Sequence, residues 1–286
     1  CPPGYARGEL ERAMEEGTIL TARAVRCDEK HDLLVDLGCA EGRIPRLEAA
    51  EGIADGRTRE IAILRCVGRP VCACVTELRP EGEILLSRRK AQQLAMDRLL
   101  QEASPGDILP AVVTGCTAFG AFCDVGCGAA ALLGTQQLCI SRLRHAGELL
   151  APGQRIYAAI RTLDRVQRRV FLTQRELLGT WAENAARFRA GQTVTGVVRS
   201  LTDYGAFIEL TPNLSGLAED DGTLCVGDHV AVYIRAIVPE TLKIKLSVLH
   251  RVEPQPHEPL RYFQTSGHLT QWRYGNEQFA KCYTIF

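Results

Sequence analysis

Apolar and polar residues alternate in short bursts along this 286-residue chain. Gly-Arg-Pro-Val-Cys-Ala-Cys-Val (68–75), Gly-Gln-Arg-Ile-Tyr-Ala-Ala-Ile (153–160) and Gly-Asp-His-Val-Ala-Val-Tyr-Ile (227–234) each read as an alternating strand opened by a glycine turn. A further short strand comes after each of them, at 84–87, 170–173 and 244–247. Period-two alternation sends one set of side chains inward and the other outward. Helical spacing occurs in two stretches only. One is 88–104, with Leu94, Leu99 and Leu100 on a stripe; the other is about 174–189, where Leu177, Leu178, Trp181, Ala185 and Phe188 share a face. Pro105-Gly106 closes the first, and Gly191 opens the strand-rich segment after the second.

The strand pattern repeats. Residues 112–128 centre on Phe119-Gly120-Ala121-Phe122, and 196–210 copy them with Tyr204 and Phe207 at the ring positions. The pairs Phe119/Tyr204 and Gly106/Gly191 are both 85 residues apart. A fainter copy, Leu33-Leu34-Val35-Asp36-Leu37-Gly38, matches 121–126 at an offset of 88, with His31 and Leu34 where the rings stand. Self-similarity at a fixed period marks tandem units. Five short strands per unit, glycine turns and a longer crossover after the third strand describe a five-stranded Greek-key barrel of the OB type. The predicted fold is therefore all-β with linker helices: three tandem OB-fold barrels over about 15–90, 105–175 and 190–249, then a tail over 253–286. The 74-residue step from Gly153 to Gly227 shortens the third crossover by about eleven residues. Residues 52–65 fill the first crossover with a turn and a predicted short apolar strand.

Two rings three residues apart need not share a strand face, but a bend at Gly120 is predicted to bring them together. An exposed pair forms a stacking platform for unpaired bases, whereas a buried pair is ordinary core. Charge favours the second unit as the place to look. The chain carries 34 Lys+Arg against 34 Asp+Glu. Residues 105–175, however, hold eight arginines (Arg142, Arg144, Arg155, Arg161, Arg165, Arg168, Arg169, Arg175) against four carboxylates. Residues 191–286 hold eight basic against ten acidic groups, with Glu219-Asp220-Asp221 inside the third unit. Phosphate binding needs local positive charge, and arginine adds stacking and forked hydrogen bonds.

Other chemistries find less support. The 12 cysteines are scattered; Cys72-x-Cys74 and Cys123-xxx-Cys127 have neither zinc nor disulfide-framework spacing, so reduced buried thiols are expected. Val-Asp-Leu-Gly-Cys-Ala-Glu-Gly (35–42) and Asp-Val-Gly-Cys-Gly-Ala-Ala (124–130) resemble the glycine loop of methyltransferases. They recur in step with the repeat, though, and Pro45 precludes a helix after the first, so they read as barrel turns. No Ser/His/Asp or Cys/His grouping appears, and His257 and His268 have no ligand partners nearby, so no catalytic residue, metal or cofactor is expected. Residues 1–16 lack the apolar core of a signal peptide, and no run of about eighteen apolar residues exists, so a cytoplasmic protein without membrane contact is expected. Pro254, Pro256 and Pro259 stiffen the start of the tail. Its seven aromatics (Tyr262, Phe263, Trp272, Tyr274, Phe279, Tyr283, Phe286) predict packing on a barrel, with Arg261, Arg273 and Lys281 beside them.

The run Phe119-Gly120-Ala121-Phe122-x-Asp124-x-Gly126, then Pro152-Gly153-Gln154 before a strand, then Leu163-Asp164 and Arg168-Arg169-Val170-Phe171-Leu172-Thr173, resembles the RNA-binding domain of ribosomal protein S1. The resemblance covers roughly 15–249, and the layout is similar to the short bacterial S1-like proteins of the small ribosomal subunit. It implies a protein that binds single-stranded RNA, mRNA included, beside the small ribosomal subunit in translation. In that family two aromatics, a His, an Asp and an Arg meet RNA on one face. Here they correspond to Phe119, Phe122, Asp164 and Arg168 or Arg169, with Gly134 at the His position (Glu219 in unit three, Pro45 in unit one). Unit three keeps Tyr204, Phe207 and Lys243 but has Val238 in the Asp position. With the basic residues of unit two, the candidate RNA-contacting set is Phe119, Phe122, Arg144, His145, Arg161, Asp164, Arg168, Arg169, Tyr204, Phe207 and Lys243. The alternative is a non-catalytic protein-docking module associated with the ribosome, and unit one, without its rings, suits docking better than RNA.

Overall fold

A computed structural model of the chain describes residues 4–220, 222–254, 259–276 and 282–286. Cys1, Asp221, Pro256, His257, Phe279 and Lys281 lie outside the described residues. Contacts divide the chain into two compact units: Cys1–Ala103 with Asp124–Ala130, and Ser104–Cys123 with Ala131–Phe286.

The first unit holds one closed barrel of β1 (Leu20–Cys27), β2 (Leu33–Asp36), β3 (Glu41–Ile44), β4 (Pro70–Leu78) and β5 (Ile84–Ser87), in the order β1-β2-β3-β5-β4. Only β3 and β5 run parallel. Inward positions such as Ala22, Ala24, Val35, Ile44, Val71 and Leu86 form the core. A helix absent from the sequence reading, α1 (Arg7–Glu16), adds Leu10 and Ala13 to that core and stops at Gly17, whose φ of +65° reverses the chain. The crossover corrects another expectation. Its apolar segment forms a helical turn, α2 (Ile61–Leu64), and no strand. A barrel closed by five strands has no free edge for a sixth, so Ile63 enters the core from a helix instead. The long helix α3 (Arg88–Glu102) comes next, capped by the Ser87 hydroxyl, which accepts from Lys90 N at 2.8 Å. Ala91, Met96 and Leu100 form its buried face, whereas Leu94 lies outside it.

The second unit contains two more closed barrels. One consists of β6 (Ile108–Cys116), β7 (Gly120–Asp124), β8 (Ala130–Gly134), β9 (Arg155–Asp164) and β10 (Arg169–Thr173), with the short α4 (Thr135–Leu138) in its crossover. The other consists of β11 (Thr193–Thr202), β12 (Gly205–Thr211), β13 (Leu214–Ala218), β14 (His229–Val238) and β15 (Lys243–Arg251). Between them the expected 174–189 helix shrinks to α5 (Trp181–Ala185), because Gly179 turns the chain at φ +85° and Thr180 restarts it with a capping box to Glu183. Leu177, Leu178 and Trp181 are buried all the same. Asn213, fully buried, joins the two barrels: it accepts from Ile140 N at 3.0 Å and donates to the Arg175 and Gly179 carbonyls at 2.7 Å.

The tail packs. β16 (Gln271–Arg273) and β17 (Tyr283–Ile285) pair antiparallel, and Trp272 and Tyr274 enter the core of the third barrel beside Trp181. The Tyr274 hydroxyl donates to the Asn213 carbonyl at 2.6 Å, and Tyr262 sets its ring edge-on to Tyr157 at 5.4 Å. Burial pushes the Tyr262 phenol up to about 12.

Candidate nucleic-acid interface

In the second barrel the chain turns between β6 and β7, with the Thr117 backbone N–H and hydroxyl both donating to the Gly120 carbonyl at 2.8 Å. Thr135 fixes the turn from outside, its N–H on the Phe119 carbonyl at 3.1 Å and its hydroxyl on that of Ala118 at 2.7 Å. Gly120 is required by close approach: a Cβ there would stand 2.4 Å from the Leu133 carbonyl oxygen. Ala121 and Cys123 then point inward, and the two rings share the outer surface. Phe119 is 60 % exposed and Phe122 41 %, with centroids 5.8 Å apart and planes at 86°.

The third barrel reproduces this geometry. The Thr202 hydroxyl donates to Gly205 at 2.9 Å, and a Cβ on Gly205 would meet the Ala218 oxygen at 2.2 Å. Tyr204 is 68 % exposed and stands edge-on to Phe207 at 6.0 Å and 88°. Strand register then places Phe207, Leu217 and Lys245 in one outward row across β12, β13 and β15, with Lys243 two residues from Lys245 on the same face. In the second barrel Phe171 of β10 pairs with Leu132 of β8, and Arg169 occupies the position of Lys243. Phe171 and Lys245 are not among the candidates drawn from the sequence, although alternation alone would place both outward.

The remaining candidates gather around the second barrel. Arg169 pairs with Asp164 across the β9–β10 hairpin. Asp164 Oδ1 accepts from Gln167 N at 2.8 Å, and Arg168 takes a left-handed φ of 52°. In the third barrel the same turn runs from Val238 to Lys243, with Leu242 at φ 54° in place of Arg168. Arg144 and His145 lie on the crossover loop, which the Ala146 N–H anchors to the Thr117 carbonyl at 3.0 Å. His145 Nδ1 accepts from Gly147 N at 2.9 Å, which gives that ring a capping task.

Comparison with known proteins bears on this barrel directly: residues 102–175 match the S1 RNA binding domain. The chain is similar to S1 domains over these residues. It is 29 % identical over 256 residues to the small ribosomal subunit protein bS1 of Staphylococcus aureus, covering 84 % of this chain and 63 % of that protein. It is 27 % identical to bS1 of Leuconostoc lactis, over 86 % of this chain and 59 % of that one. The chain thus spans somewhat under two thirds of these relatives. Among solved structures, a multidomain protein with nucleic acid binding domains from Streptococcus pneumoniae aligns with 85 % of this chain and 76 % of its own, at 13 % identity and a TM-score of 0.27.

Not every arginine of the second barrel faces outward. Arg161 donates to the Ile285 carbonyl at 3.0 Å and stands 5.8 Å over the Phe286 ring, so the tail engages it. Arg175 is drawn to Glu176 at 3.2 Å and to the Thr284 hydroxyl at 3.3 Å. Arg142, Arg144, Arg155, Arg165, Arg168 and Arg169 remain exposed. The first barrel has the same strand order but no platform. Leu34 is 5 % exposed, His31 Nε2 lies 3.5 Å from Glu60, and Arg46 of the crossover also binds Glu60. Arg43, in the middle of that face, pairs with Asp32 and Glu83.

The two glycine loops are barrel turns: Asp36 Oδ1 accepts from Gly38 N, and Asp124 Oδ1 from Gly126 N, both at 2.8 Å. The eleven described cysteines are free thiols. Burial raises the pKa of Cys74, Cys116 and Cys139, which suppresses thiolate chemistry. Among the described residues no group of three or more His, Cys, Asp or Glu is placed to hold a metal ion, and no helix is long and apolar enough to cross a membrane.

Proposed function

We propose that the chain binds single-stranded RNA, mRNA included, by stacking unpaired bases on Phe119 and Phe122, with Arg168 and Arg169 neutralising phosphate beside them. The observation that carries this reading is the exposed, perpendicular aromatic pair, repeated with the same glycine constraint in two barrels. A core pair would not leave 60 % of a phenylalanine in water. Arg144, His145 and Asp164 border the same surface, whereas Arg161 contributes charge from beneath the tail. Tyr204, Phe207 and Lys243 form a second, weaker site in a barrel that lacks the aspartate and carries more acid. The first barrel takes no part in stacking. The likeness to bS1 proteins supports a cytoplasmic role in translation at the small ribosomal subunit.

Affinity for a fluorescent, unstructured RNA, measured by anisotropy across a salt series, tests the phosphate part. Removing both Arg168 and Arg169 as alanines is expected to weaken binding and to flatten log affinity against log salt, by about 0.7 for each phosphate no longer neutralised. An unchanged slope would remove these arginines from the interface.

A further inference from the structure

Each barrel's last strand runs parallel to its third, and in the third barrel register places one outward residue of the last strand level with the second ring. That residue differs from barrel to barrel. It is Leu85 opposite Arg43 in the first, Phe171 opposite Leu132 in the second and Lys245 opposite Leu217 in the third. In β10, Val170 and Leu172 are buried while Phe171 between them is half-buried, so its ring leaves the barrel on the outer surface. Strand β8 lies between β10 and β7, the strand of Phe122. The 85-residue repeat sets Phe122 level with the half-buried Leu132, as Phe207 is with Leu217, so Phe171 and Phe122 stand two strand spacings, about 10 Å, apart. No core need explains the ring: the barrel interior is already filled from Val170 and Leu172, and Lys245 occupies the same position in the third barrel.

We infer that Phe171 is a third stacking position of the second barrel, taking an unpaired nucleobase beyond the one on Phe122, while Lys245 makes the equivalent position of the third barrel a phosphate contact. This rests on the RNA reading above and extends it: one platform reads three ring faces in a row, the other two rings and two cations. The strand would cross β7, β8 and β10 at right angles to their direction, with Leu132 as an apolar floor between bases. A stacked ring releases few counterions, so Phe171 acts on affinity without changing its salt dependence, and Lys245 changes both.

The test uses the full chain and a labelled oligouridine of about twelve nucleotides, within the footprint of one OB barrel. Phe171→Ser is expected to weaken binding about five- to tenfold, toward the lower end of the usual worth of one stacked base, with an unaltered salt slope. Lys245→Ser is expected to lower the slope. Phe171→Trp keeps a stacking ring and avoids any loss of folding. Trp181 and Trp272 are buried, so the new indole reports from the surface, and RNA is expected to quench it. Wild-type affinity in Phe171→Ser, or an indole indifferent to RNA, would overturn the inference. Phe122→Ala measured alongside separates the two levels. If it loses binding while Phe171→Ser does not, the RNA reading stands without the third position; if neither loses binding, both go.

Discussion

Arg199→Ala is expected to destabilise the second unit by about 3–5 kcal/mol, the usual result of stripping one partner from a buried ion pair. Arg199 sits where β11 slips its register against β12, between Val198 and Ser200, and this bulge turns its side chain into the joint between barrels. The side chain is 7 % exposed and forks onto Glu209, Nε to Oε2 at 2.9 Å and NH2 to Oε1 at 3.0 Å. Its NH1 reaches Glu148 at 2.7 Å. Burial alone would lower the guanidinium pKa, but the bonds to Glu209 and the nearby carboxylates outweigh it and raise it. Glu148 in turn accepts from the backbone N–H groups of Arg144 and His145, at 2.9 and 3.1 Å. Loss of Arg199 therefore strands a buried carboxylate and loosens the loop beside the Phe119 turn. Thermal and urea unfolding measure the loss. Arg199→Met combined with Glu209→Leu, which removes the charge pair together, is expected to recover most of it. A single variant as stable as the parent would show that the joint is held without this ion pair, by the hydrogen bonds of Asn213 and Ser141.

Trp272→Ala is expected to cost about 3–5 kcal/mol and to lower the melting temperature of the second unit by roughly 10 °C. The tail is thus a structural part of the third barrel. Trp272 and Tyr274 belong to the same buried cluster as Trp181, Ile208 and Val232, and the Trp181 backbone N–H donates to the Tyr274 carbonyl at 2.9 Å. Thr284, also buried, donates to Glu176 at 2.8 Å, a carboxylate that Arg175 and Thr173 share. Calorimetry on the full chain separates the units, and the transition of the first is expected to stay in place. An unshifted melt with loss of a partner protein would instead make the tail a docking peptide.

The barrels are legible because alternation and the 85-residue period reinforce each other, and because Gly120 and Gly205 mark equivalent bends where a carbonyl crowds the backbone. The ring pair comes from the same motif. The features hidden from the sequence depend on contacts between distant segments. Gly179 breaks the 174–189 stripe although its apolar residues remain buried, so amphipathic spacing overstates the helix. Ile61–Leu64 is apolar enough for a strand, but the closed barrel leaves it nothing to pair with. Arg161 reads as an RNA contact because nothing local shows that residues 285 and 286 return to it. Phe171 stands in the apolar run Val170-Phe171-Leu172, which hides its alternation, and the burial of Val170 and Leu172 on either side of it makes the outward face plain. Arg199 gives no signal, because a bulge is invisible until register is known.

The proposed RNA-binding role depends most on whether the Phe119 and Phe122 rings meet RNA or support the barrel, and one paired measurement decides it. Phe119→Ala and Phe122→Ala are assayed for binding to unstructured RNA and for urea unfolding under the same conditions. Each is expected to lose about 1–3 kcal/mol of binding, the worth of a stacked base. Each is expected to lose under about 1 kcal/mol of stability, since the rings already stand 60 % and 41 % in water. Wild-type affinity together with the roughly 3–5 kcal/mol destabilisation of a truncated core phenylalanine would contradict that role.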